Sequence, residues 1–143
     1  MITRAAAIAG LLLLVAVPAA RAQDAELDKV LERLGTAWLL GEAAAVVEFS
    51  SHRGISIELD GEKIGPLAPR QAAAVLRRLF ESRETVSVRL GMANVVGGSP
   101  QRAFGEVSWT ARAPGTTIPE RSTVFFALLK EDGWKLTQIR VRP

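Results

Sequence analysis

"RSTVFFALLKEDGWKLTQIRVRP", residues 121–143, decides the fold. Two apolar runs flank Glu131-Asp132-Gly133, a short turn of the kind that joins antiparallel strands. In the first run Val124, Phe126 and Leu128 fall on one face, and Phe125, Ala127 and Leu129 on the other. A sheet with one face in water shows polar residues on that face. Both faces of this strand therefore call for cover. In the second run Trp134 and Leu136 alternate with polar residues, and so do Ile139 and Val141, but one residue out of step. That slip places a β-bulge near Thr137-Gln138.

Upstream, the period of two continues. "TVSVRLGMANVV" reads as a strand with Val86, Val88 and Leu90 on one face, and "RAFGEVSWTAR" as the next. Glu106 shares a face with Phe104 and Ser108, opposite Val107 and Trp109. Before these strands the period is helical. "RQAAAVLRRLFES" repeats Ala72, Val75, Leu76, Leu79 and Phe80 at three- and four-residue spacing, with Pro69 suited to its first turn. "GISIELDGEKIG" reads as a hairpin around Asp60-Gly61, and Pro66 and Pro69 end its extended run. "EAAAVVEF" reads as a short helix. "DAELDKVLERLGTAWLLG" reads as a longer one, with Leu27, Val30, Leu31, Leu34, Ala37 and Trp38 as its stripe and Gly41 as its stop.

The start of the sequence is of another kind. "MITR" is basic, "AAAIAGLLLLVAV" is an apolar core too short to span a bilayer of about 20 residues, and Ala20-Arg21-Ala22 has an A-x-A cleavage pattern. Residues 1–22 are expected to be a secretory signal peptide, and residues 23–143 a single mature domain starting at Gln23. The exported product is then periplasmic or secreted, with no stable membrane anchor. No cysteine follows the apolar core to carry a lipid.

Removing that leader changes the charge. The sequence has 18 basic and 15 acidic residues; Arg4 and Arg21 leave and no acid does, so the mature chain is close to neutral at +1. Basic residues are interleaved with acids rather than gathered on one face, so nucleic acid is not an expected partner. There is no cysteine and a single histidine, which removes thiolate catalysis and the usual zinc ligand sets. No metal or other cofactor is expected.

The element order is helix, helix, hairpin, helix and four strands. It gives an α+β domain with three helices packed on a curved antiparallel sheet. That order, with "AWLLGE", "VVEFSS", "GISIELDGEKIG", "RQAAAVLRRLFES" and "FFALLKEDGWKLTQIRV" in their places, resembles the nuclear transport factor 2-like superfamily. This is the cone-shaped fold of ketosteroid isomerases and polyketide cyclases, and the likeness is greatest to small exported bacterial members of unknown function. The resemblance covers nearly all of residues 23–143. It implies a pocket between sheet and helices, and often a homodimer. Ketosteroid isomerase uses an Asp base with a Tyr and a protonated Asp as oxyanion hole. This chain has no tyrosine, and Asp24, Asp28, Asp60 and Asp132 fall in the first helix or in turns. No catalytic residue is assigned.

The candidates for lining an apolar pocket are Trp38, Phe49, Phe80, Met92 and Trp109, although ordinary core filling is the simpler reading of such rings. Those for a dimer interface are Phe125, Phe126 and Leu128; the alternation leaves open which face is which. His52, between helix and hairpin, is expected to be a solvated loop residue. Glu106 is expected to face away from the cone. The sequence thus points to an exported non-enzymatic domain that binds small molecules or proteins, homodimeric, with a possible apolar ligand. The alternative is an isomerase- or cyclase-like enzyme acting on an apolar small molecule. A third reading is a subunit that supports a larger envelope complex.

Overall fold

The computed structural model describes residues 19–143, with side chains from residue 25 onward. The apolar stretch of the expected signal peptide lies outside the described residues. The first helix, α1, spans Ala19–Leu40, so its backbone begins before Asp24, at an alanine pair that favours helix. Its end is closed by Gly41 N–H to the Trp38 carbonyl at 3.1 Å and Glu42 N–H to the Ala37 carbonyl at 2.9 Å. This paired closure satisfies carbonyls that the helix cannot. Helix α2 is one short turn, Ala43–Val47. Among the described residues no helix is long and apolar enough to cross a membrane.

Strands β1 (Ile55–Leu59) and β2 (Glu62–Leu67) form the expected hairpin. Asp60 and Gly61 take φ of 52° and 81°, the two positive angles that a type I′ turn needs. Pro66 does not end the extended run; it lies inside β2. The sheet tolerates it because β2 is an edge strand, where a missing N–H breaks no ladder. Helix α3, Pro69–Ser82, starts with proline in its first turn. Gln71 Oε1 reaches back to accept the Ala68 N–H at 3.2 Å.

Four long strands follow: β3 (Glu84–Val96), β4 (Arg102–Arg112), β5 (Glu120–Glu131) and β6 (Gly133–Arg142). The six strands form one sheet in the order β2-β1-β6-β5-β4-β3. It is mixed, not wholly antiparallel as the short connections suggested. The hairpin docks on the free edge of β6, and β1 runs parallel to it, with Ile57 beside Ile139 and Leu59 beside Val141. The slip in β6 is a bulge at Thr137, whose hydroxyl donates to the Ala127 carbonyl at 3.0 Å.

One face of the sheet is covered. Leu27, Leu31, Leu34 and Trp38 of α1 and Leu76 and Leu79 of α3 are buried with Val107, Trp109, Val124, Phe126, Leu136 and Ile139. At Gly105 the helix comes close. A Cβ built there would stand 2.5 Å from a Leu31 methyl, so only glycine admits α1 at this height.

Strand β3 departs from its simple alternation. Register shifts fall between Thr85 and Ser87 and between Leu90 and Ala93. Val86 is the extra residue in the first and is 51% exposed, so it falls out of step with Val88 and Leu90; Val88 is half-buried and Leu90 is itself 48% exposed. The second takes up Gly91 and Met92 opposite Glu106 alone, leaving Met92 68% exposed.

Candidate functional site

The interior between sheet and helices is filled by aromatic rings. Trp38 meets Phe80, Trp109 and Phe126 edge-on, at centroid distances of 5.0, 5.4 and 5.9 Å. Such contacts add to the area that each ring buries. Of the five pocket candidates, Trp38, Phe80 and Trp109 come together here. Phe49 packs half-buried against the same core. Met92 does not join, because its bulge turns it to solvent. The clefts described below are lined by none of the five. Among the described residues, the buried polar side chains are Ser51 and Ser122.

Ser51 explains its neighbour His52. The Ser51 hydroxyl donates to Glu131 Oε1 at 2.6 Å, and the His52 backbone N–H donates to the same oxygen at 3.3 Å. Glu131 thus ties the loop after α2 to the β5–β6 turn. The His52 side chain is exposed and stands at the rim of a cleft with Ser50, Arg53 and Pro69.

Among the described residues no helix lies over the second face of the sheet. Phe125 lies there, 38% exposed, whereas Phe126 and Leu128 are fully buried on the covered face. Two of the three interface candidates are therefore core, since α1 and α3 sit on that side. Phe104 and Ala127 pair across β4 and β5 beside Phe125. The next row reads Glu58, Arg140, Phe125, Glu106 across β1, β6, β5 and β4. Glu106 shares this open face with Phe104, as its position in the strand requires. Glu58 Oε2 lies 2.5 Å from Arg140 Nε, at ion-pair distance but without hydrogen-bond alignment. A cleft of about 440 Å³ at one end of the face is lined by Arg102, Phe104, Leu129 and Gln138. Among the described residues the buried Gln138 Nε2 has no acceptor.

Sequence reading missed Arg83. It joins α3 to β3, and its guanidinium lies over the Trp109 ring, 5.4 Å from the centroid, with Nη1 3.5 Å from Ser122 Oγ. Trp109 is anchored in turn by its indole N–H on Thr85 Oγ1 at 2.9 Å. Arg83 forms the wall between two clefts. One, about 360 Å³, lies between the β1–β2 hairpin and α3. The other, about 520 Å³, lies under the loop from β4 to β5. Among the described residues neither Arg83 nor Arg78 has a carboxylate within ion-pair distance, while Arg112 in the second cleft is held by Glu84 at 3.3 Å. No local spacing signals this arrangement, because Trp109 and Ser122 reach Arg83 from different strands.

No protein-family model matches the chain, and no curated protein matches it significantly. Solved structures do resemble it. A DUF4783 family protein from Bacteroides uniformis superposes with a TM-score of 0.65 at 12% identity, covering 78% of this chain and 94% of that one. A hypothetical protein from Catenulispora acidiphila with a ketosteroid isomerase-like fold, solved with trimethylamine, gives 0.64 at 14% identity, over 80% and 85%. A nuclear transport factor 2 design gives 0.63 at 12% identity, over 83% and 98%. At such identities the likeness speaks for the fold alone. With its three helices on one face of a six-stranded mixed sheet, this chain has the nuclear transport factor 2-like fold, in company with domains of unknown function.

Proposed function

We propose that this protein is an exported, non-enzymatic interaction domain that pairs with a second copy through the open face of its sheet. The observation that carries the reading is Phe125, a large aromatic at the centre of an uncovered face, with Phe104 and Ala127 beside it. The bulges in β3 and β6 bend the strands, as a cone-shaped sheet requires. The cone's interior is taken up by its own rings, which favours the outer face as the working surface.

The charges on that face suit a copy of itself. Arg140 and Glu106 flank Phe125 on opposite strands. A two-fold axis running along β5 sets Phe125 on its counterpart, Arg140 over the second Glu106 and Glu106 over the second Arg140. An axis across the strands would instead place like charges together. Most homo-oligomers use such a self-complementary contact, and a stable one buries about 800 Å² per partner. Two sheets packed in this way cross at about 30°.

Sedimentation equilibrium of the mature protein at micromolar concentration tests the pairing. A dimer is expected. Phe125→Glu should give a folded monomer and Glu106→Arg a weakened dimer. A monomeric unaltered protein would overturn the reading. Export is tested separately: sequencing of the released protein should begin at Gln23, after Ala20-Arg21-Ala22.

A further inference from the structure

We propose that Arg83 is the head-group site for a small amphipathic monoanion, a carboxylate on a short apolar chain. The proposal stands apart from the pairing of sheets, because Arg83 lies at the junction of α3 and β3. A guanidinium half-buried over an indole face has lost much of its water, and among the described residues no acid replaces it. The Trp109 ring and the Ser122 hydroxyl hold the group, and its remaining N–H donors can serve a planar, two-oxygen acceptor. Arg78 on the same wall adds a second positive charge.

The rest of the hairpin–α3 cleft is apolar where a chain would lie. Leu59, Ile64, Val75, Leu79 and Val141 line it, and at about 360 Å³ it falls at the small end of ligand sites. Asp60, contributed by the β1–β2 turn, offsets one of the two arginines. The cleft thus carries a single net positive charge, which selects a monoanion over a phosphate dianion.

Titration of the mature protein with sodium octanoate, by calorimetry and tryptophan fluorescence, tests the site. Saturable binding at one site per chain is expected, with octylamine and inorganic phosphate binding at least about tenfold more weakly. Arg83→Gln should weaken octanoate by about tenfold or more, the scale of a hydrogen bond to a charged group. Arg83→Lys should fall between the two. Since loss of the Trp109 stack could unfold the chain, the solvent-facing Arg78→Gln carries the test independently, with a loss of a few-fold at unchanged melting temperature. Asp60→Asn should tighten binding. Absence of saturable octanoate binding, octylamine binding as tightly, or affinity unchanged in Arg78→Gln would each overturn the site.

Discussion

Phe125 and Phe126 are neighbours in the chain and opposites in the molecule. Phe126 is fully buried among Trp38 and its companions, and Phe125 stands on the far side of the same strand, more than a third exposed. Chemistry does not separate them. What separates them is that α1 and α3 carry their stripes to one side only. The covered face is packed from two layers, with Leu27, Leu31, Leu34 and Trp38 of α1 and Leu76 and Leu79 of α3 against the strands. The open face is set by the pleat alone and is free to serve something outside the chain.

The sharpest way to break this contrast is to truncate each ring in turn. Phe126→Ala should destabilise the domain by about 3–5 kcal/mol, as lost burial plus a cavity. Phe125→Ala should leave the free energy of the separated chain within about 0.5 kcal/mol. Urea unfolding at low protein concentration reads both, and equal losses would mean that the two faces are equally packed.

A second probe adds material instead of removing it. Gly105→Ala drives a methyl into Leu31 on the covered face, and about 1–3 kcal/mol of overpacking is expected, reduced by what alanine gains over glycine in a strand. Ser108→Ala, on the open face of the same strand, should change the melting temperature little.

The loop after α2 repeats the contrast at smaller scale. Ser51→Ala removes a buried hydroxyl and leaves Glu131 short of a donor, at a cost of about 1–3 kcal/mol. His52→Ala should shift stability by no more than about 0.5 kcal/mol, because only its backbone N–H takes part. Thermal melts of the two variants side by side give the answer. A larger loss for His52 would return its side chain to the list of working groups.

How much of this was legible depends on distance along the chain. The Asp60-Gly61 turn, the start of α3 at Pro69 and the bulge at Thr137 are written in a few consecutive residues, and each stands where the pattern put it. The parallel pairing of β1 with β6 is not, because it joins segments from opposite ends of the domain. Alternation showed that residues 124–129 have two apolar faces, but only the position of the helices decides which is core. In β3 the extra residues at Val86 and Met92 reset the count, and counting by twos carried both to the wrong environment. Arg83 was silent for the same reason as the parallel strand: its setting is built from Trp109 and Ser122, contributed by other strands.

The place of β6 in the sheet bears on the order of events as the protein is made. It follows the other five strands of the sheet in sequence and yet lies in the middle, between β1 and β5. A lone two-stranded hairpin is marginal in water, so β1 and β2 have nothing to dock on until β6 has joined β5. The hairpin, made early, is thus the last piece of sheet to be seated, and its contacts span most of the domain's length. Long-range closure of this kind slows folding and leaves an unpaired strand exposed in the meantime. If the chain is exported as proposed, a late-closing sheet keeps the polypeptide threadable until β6 is through.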